Sequence, residues 1–169
     1  MSAIKLDGLT LASTANSAVN LDSSVNIGTS SYGFAQLKLT ANESLGNVVW
    51  DTILGDTSNI TKPNSDHDIR LSIAGIYCIS FSATFYISGE ERNVTMVLKD
   101  SSDDSVIASA ADSIKQADSN ITYGNAAGSY TGYFPANSDI YFNTISASNS
   151  NSVLEARSHA SIVLIRKTA

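Results

Sequence analysis

The chain has 169 residues, a formal net charge of −6 at pH 7 and a pI near 4.6, enough length for one domain with a real core and a short appendage. Lys and Arg are scattered apart from Arg166 and Lys167, so no basic patch exists to hold phosphates, and neither nucleic acid nor an anionic membrane is expected as a partner. Charged residues make up 15 % and Ser, Thr and Asn about a third of the chain, a balance that favours strands and turns over helices, and no apolar run approaches the roughly 20 residues that span a bilayer.

Residues 1–33 contain no aromatic residue before Tyr32 and read as short apolar beats in a Ser/Thr/Asn/Ala background. Such a segment buries too little apolar surface to fold by itself. The bland reading is a disordered tail. The alternation of Ile4 with Leu6 and of Leu9 with Leu11, and the later Leu21, Val25 and Ile27, favour an extended arm docked on a neighbouring protein. The start, MSAIKLDG, has no basic n-region and no apolar h-region, so synthesis in a cytoplasm without a secretory leader is expected.

From Phe34 to the C-terminus, strand signals recur every eight to fifteen residues with turns between them, the spacing of a β-sandwich or barrel. Phe34–Thr40 alternates as FAQLKLT, and Val48–Leu54 follows with the only tryptophan, Trp50. After a polar loop, 55–66, Ile69, Leu71 and Ile73 alternate up to an Ala74-Gly75 turn. The stretch GIYCISFSATFYI, 75–87, carries apolar residues at every odd position, so one of its faces packs on a core. Its even face is interrupted by Ile76, Cys78 and Tyr86, and Ile162–Ile165 is apolar on both sides. Central strands that are apolar on both faces hide the second face against another sheet, an arm or a subunit. Between these, Gly89-Glu90-Glu91 turns the chain into the strand 93–99, and 100–104 is an acidic turn before a short strand, 105–111. Mild helical character at 112–120 sits where a loop is expected, and strands at 129–134, 139–145 and 156–165 bring the count to about eight. That number fits an all-β, antiparallel two-sheet jelly roll over 34–169.

Chemistry-bearing residues are sparse. Cys78 sits between Tyr77 and Ile79 in a core strand, so a buried structural thiol is preferred to a thiolate paired with His159. His67 between Asp66 and Asp68 can offer at most two ligands to one ion, because neighbours alternate in direction. Asp100, Asp103 and Asp104 lack the glycine and distal glutamate of a calcium loop and read as a solvated turn. Gly124, Gly128 and Gly132 read as turn glycines. Tyr123, Tyr130, Tyr133, Phe134, Tyr141 and Phe142 form an aromatic cluster suited to a core, an interface or a sugar. No acid/base pair or metal cluster stands out, so no enzyme, no metal and no cofactor is expected.

The segment Ile69–Phe81, with its Ala-Gly turn and GIYCISF, resembles the "GxYxF" signature of complement globular-head and tumour necrosis factor-like jelly rolls. VTMVLK at 94–99 stands where that family has its next strand. YFPANSDIYF at 133–142 resembles its "L-x-x-GD-x-V-x-L" hairpin, with Asn137-Ser138-Asp139 in place of Gly-Asp, and HASIVLI at 159–165 resembles its closing "F-S-G-F-L-L" strand. Ala160 and Ile162 replace the usual aromatics, and a Ser/Asn/Ala arm stands in place of a collagen-like stalk. The resemblance implies a homotrimer, with Ile76, Tyr86, Val163 and Ile165 as candidate axis residues. An arm joined to a jelly roll in this composition also resembles structural proteins of tailed bacteriophages. The expectation is therefore a capsid decoration, or cement, trimer on the virion surface, made in the host cytoplasm. Its arm would clamp the major capsid protein through Ile4, Leu6, Leu9, Leu11, Leu21, Val25 and Ile27. The alternative is the receptor-binding head of a tail or head fibre, recognising a host surface glycan.

Overall fold

The computed structural model describes residues 3–6, 9–15, 18–21, 33–55, 59–62, 67–87, 92–114, 122–146 and 152–168, with strands and no helix among them. The chain divides into two compact units, Met1–Ser31 and Tyr32–Ala169. In the first, β1 (Ala3–Leu6), β2 (Leu9–Ala15) and β3 (Ala18–Leu21) pair antiparallel in that order. Leu6 pairs with Leu9, and Ala15 pairs with Ala18. The extended backbone of this segment thus runs in three short passes. For Ile4, Leu6, Leu9, Leu11 and Leu21 only the backbone is described, and Val25 and Ile27 lie outside the described residues.

The second unit contains β4 (Phe34–Lys38), β5 (Glu43–Ser44), β6 (Thr52–Gly55), β7 (Ile60–Thr61), β8 (Ile69–Leu71) and β9 (Gly75–Ile87). It continues with β10 (Arg92–Asp100), β11 (Val106–Ile114), β12 (Thr122–Phe134), β13 (Ser138–Ser146), β14 (Ser152–Leu154) and β15 (His159–Lys167). Two antiparallel sheets result. One has five strands in the order β11-β10-β13-β8-β7. The other has seven and is built on β9. β12 pairs with all of β9 from Gly75 to Ile87, while β15 and β14 divide the other edge at Gly75–Ser82 and Phe85–Ile87. β4 and then β6 extend the sheet beyond β15.

The odd residues of β9 (Tyr77, Ile79, Phe81, Ala83 and Phe85) are buried, as are Ala35, Leu37, Ala160, Ile162 and Leu164 on the strands beside it. They meet Ile69, Leu71, Val94, Met96, Leu98, Ile140 and Phe142 from the five-stranded sheet in one core. Each large side chain removed from water here contributes about 1.5–3 kcal/mol. The Phe142 ring lies edge-on to Trp50 at 5.5 Å and to Phe81 at 5.6 Å, the T-shaped arrangement that aromatic quadrupoles favour. Tyr77 donates its hydroxyl to the Ile73 carbonyl at 2.7 Å, so its buried polar tip is satisfied.

The structure corrects several sequence readings. Val48–Asp51 is not strand: Val48 bonds the Phe142 carbonyl and Asp51 the Lys38 carbonyl, so the chain here passes from one sheet to the other. That crossing is why Val48 and Trp50 are both buried. Residues 112–114 belong to β11, and 115–120 lie outside the described residues, as does the turn at 88–91. The C-terminal run 156–165 is broken by residues 155–158 between β14 and β15. The largest correction is β12, which begins at Thr122 and not at 129. Gly124, Gly128 and Gly132 therefore stand inside a strand. A Cβ on Gly128 would come within 2.7 Å of the Phe81 ring, and one on Gly132 would collide with the ring of Tyr130. These two glycines make room for aromatic rings and have no turn to form.

Candidate functional site

Cross-strand partners share a face of a sheet, and the parity that buries the odd residues of β9 turns the even ones outward. The outer face of the seven-stranded sheet can therefore be followed layer by layer. At one end Ile76 pairs with Tyr133, and Cys78 with Thr131 and Val163, which in turn pairs with Phe34. The next layer is small and polar: Ser80 between Ser129 and Ser161, with Gln36 beyond. The Ser80 and Ser161 hydroxyls are bonded at 2.8 Å. Then come Ala127, Ser82, His159 and Lys38. Thr84 donates to Asn125 Oδ1 at 2.9 Å in the layer after. At the far end Tyr86 lies edge-on to Tyr123 at 6.0 Å, and Arg157 places its guanidinium 4.8 Å over the Tyr123 ring.

Seven large hydrophobic residues are exposed among the described ones, and five of them (Phe34, Leu54, Tyr123, Tyr133 and Ile165) belong to this sheet. Ile76 and Val163 fall together at the first end, both half-buried, beside Cys78. Ile165 stands at a bulge between Leu164 and Arg166 and is 49 % exposed. Tyr86, half-buried, lies ten residues along β9 from Ile76, about 33 Å at strand rise, so the two belong to opposite ends of the face. Sequence reasoning missed Phe34 and held Tyr133 only within an aromatic cluster suited to a core, an interface or a sugar. The parity of FAQLKLT held the signal for Phe34, since Ala35, Leu37 and Leu39 are its buried set.

Cys78 is also corrected. It is half-buried on this outer face, not in the core, because even parity turns it away from Tyr77 and Ile79. Cys78 pairs with Val163 and His159 with Ser82, a separation of four residues or about 13 Å along β15, so the two form no thiolate pair.

On the outer face of the five-stranded sheet Val106 and Ile145 are exposed, and much of the rest is taken up by bonds among its own side chains. Arg70 grips Asp139 through two bonds of 2.9 and 2.7 Å, and that bond holds the guanidinium above its usual pKa. Tyr141 donates to Asp104 at 2.6 Å, with Lys99 5.6 Å over its ring and His67 edge-on at 5.4 Å. Burial, followed by the Asp104 bond, raises the Tyr141 phenol. The acidic turn is occupied locally: Asp100 accepts from the Ser102 amide and hydroxyl, Asp103 from the Ser105 amide, and the Ser105 bonds lower the Asp103 pKa. A hollow of 390 Å³ lies between Asp100–Ser102 and Pro135–Asp139, but its carboxylates serve these turn bonds and Arg70. Among the described residues no group of three His, Cys, Asp or Glu side chains is placed to hold a metal ion. Asp66 lies outside them.

No protein-family model matches the sequence, and no curated protein matches it. Solved structures do. The chain is similar to Eiger TNF from S. frugiperda, with a TM-score of 0.61 and 10 % identity over 82 % of this chain and 95 % of that one. It is also similar to murine APRIL at pH 5.0, with a TM-score of 0.61 and 12 % identity over 79 % of this chain and 99 % of that one. The pH 8.5 structure of murine APRIL gives a TM-score of 0.59 at 11 % identity over the same shares. The fold is the tumour necrosis factor-like jelly roll.

Proposed function

We propose that this chain is a non-enzymatic structural protein that works as a homotrimer, decorating a bacteriophage capsid to which its N-terminal unit attaches it. The observation that carries the trimer is that five of the seven exposed large hydrophobic residues described (Phe34, Leu54, Tyr123, Tyr133 and Ile165) lie on one sheet, against Val106 and Ile145 on the other, whose outer face also carries the Arg70–Asp139 and Tyr141–Asp104 bonds. Exposed apolar area concentrated on one face marks an interaction surface. The family resemblance read from GIYCISF and HASIVLI points to a second and third copy as its cover. Attachment rests on the separate Met1–Ser31 unit: three tethered units raise the effective concentration of each other's binding, so weak single contacts with the major capsid protein sum to firm decoration. The phage setting rests on the composition of the arm and its union with a jelly roll.

The test pairs light scattering with co-sedimentation on phage shells stripped of accessory proteins, using the full chain and a chain lacking 1–31. That boundary spares Gly33, whose carbonyl accepts the Leu164 amide at 2.7 Å. Trimers in both samples, with only the full chain sedimenting on shells, is the expected result. Monomers in both overturn the trimer. The second reading, a fibre head that binds a host glycan, is favoured by one feature: the exposed Tyr123 ring beneath Arg157, an aromatic platform beside a charged donor. It replaces the first reading if the shortened chain binds host cells and neither form binds shells.

A further inference from the structure

We propose that the polar middle of the outer sheet face binds an inorganic oxyanion, sulfate or phosphate, between Lys38 and His159. Those two residues are direct cross-strand partners on β4 and β15, which brings their Cβ atoms to about 5 Å. With Gln36, Ser80 and Ser161 they line a hollow of 280 Å³. The side chains that line it by parity on this face are an ammonium, an imidazole, an amide and two hydroxyls, the hydroxyls of Ser80 and Ser161 bonded to each other. No carboxylate lines it, although the chain has 16 acidic residues against 10 basic ones. The carboxylates nearest in sequence and register are committed elsewhere. Asp51 accepts from the Thr40 amide and hydroxyl, and Glu155 accepts from Asn42 and lies 3.5 Å from Arg157. His159 Nδ1 donates to the Arg157 carbonyl at 3.3 Å, which fixes the ring at the wall of the hollow. An anion seated here takes the Lys38 ammonium as its charge partner and accepts from the Gln36 amide and from whichever of the two bonded serine hydroxyls keeps its proton free.

The site is complete within one chain. Its consequence for assembly rests on the trimer reading: if copies close over this face, several Lys38–His159 pairs approach one another in a medium of low dielectric, and the bound ion becomes a stabiliser of the assembly. A ligand at about a hundred times its dissociation constant multiplies the folding equilibrium by about a hundred.

The experiment measures thermal unfolding and light-scattering mass of the full chain in sodium sulfate, sodium phosphate and sodium chloride at matched ionic strength. The wild type is compared with Lys38→Gln, His159→Gln and, as an exposed control on the same strand, Lys167→Gln. Sulfate and phosphate should raise the unfolding temperature of the wild type and of Lys167→Gln above the chloride value, and should do so much less for Lys38→Gln and His159→Gln. Equal responses in all four proteins, or chloride matching the oxyanions, overturn the site. A monomer whose sulfate response still depends on Lys38 removes the trimer and keeps the site. A trimer with no such dependence removes the site and keeps the trimer.

Discussion

The outer faces of the two sheets are finished in different ways. On the five-stranded sheet, Arg70 bonds Asp139 and Tyr141 bonds Asp104 with Lys99 over its ring, and the exposed hydrophobics are the separate Val106 and Ile145. On the seven-stranded sheet, an apolar end, a small polar middle and an aromatic end are laid out with no such closure of the apolar end. A face completed by its own charged hydrogen bonds would lose them on docking and gain little. A face of half-buried Ile76, Val163 and Cys78 flanked by exposed Tyr133 and Phe34 has water to expel. On the proposed trimer reading, the contrast assigns the covered side to the seven-stranded sheet.

The strongest way to break this contrast is to place a charge on each face in turn. Tyr133→Asp, at a residue 55 % exposed, should abolish assembly, so that light scattering reads the 17.8 kDa mass of one chain. Ile145→Asp on the other sheet, 48 % exposed, should leave the oligomer intact. Loss of assembly in both variants would sink the assignment of the face. The same comparison is sharpened by Cys78: a thiol reagent should label it slowly in the wild type and rapidly in Tyr133→Asp, because the copies that cover Ile76 and Val163 cover it too.

The core serves both sheets and should not discriminate between them. Phe142→Ala, which removes the ring between Trp50 and Phe81, should cost about 3–5 kcal/mol in denaturant unfolding. A smaller effect is expected at the junction of β9 with residues 155–158. There the buried Ser158 hydroxyl accepts the Thr84 amide at 2.9 Å, and Ser158→Ala should cost about 1–3 kcal/mol by orphaning that donor.

The smallest effect is acid sensitivity at Asp51. Bonds from the Thr40 amide and hydroxyl hold its carboxyl below the usual value. A carboxylate whose folded pKa is depressed contributes stability above its unfolded pKa and loses it as pH falls through the folded one. The wild type should therefore lose a little more stability than Asp51→Asn on descending below about pH 4, the ordinary carboxylate range. Glu43 works in the opposite sense, since burial raises its pKa and its protonation relieves a cost. A variant that lost as much stability as the wild type across that window would show that the Thr40 bonds contribute nothing measurable.

How legible the chain was depended on the strand. Phe34–Lys38 and Gly75–Ile87 were readable because their side chains alternate in kind, and alternation is all that a half-buried strand requires. β12 was not: TYGNAAGS has small residues at most positions and no apolar period. It is a strand because β9 supplies hydrogen bonds along its whole length, and because Gly128 and Gly132 yield to the rings of Phe81 and Tyr130. Cys78 misled for the converse reason. Its immediate neighbours are core residues, yet adjacent positions on a strand face opposite ways. Of the candidate interface, Ile76 and Val163 were legible as apolar residues out of phase, whereas Tyr133, inside the strand read at 129–134, was separated from the core aromatics beside it only by its pairing with Ile76.

By itself the sequence determined an all-β jelly roll and the two phases of its long strand, because side-chain period is imposed locally by backbone geometry. The tertiary structure decided which strands share an edge of β9, that the glycines of β12 accommodate rings, and that Lys38 and His159 stand side by side. Those are register facts between residues up to 121 positions apart, as with His159 and Lys38. Pairing across such distances depends on the whole sheet closing at once, and no local pattern encodes it.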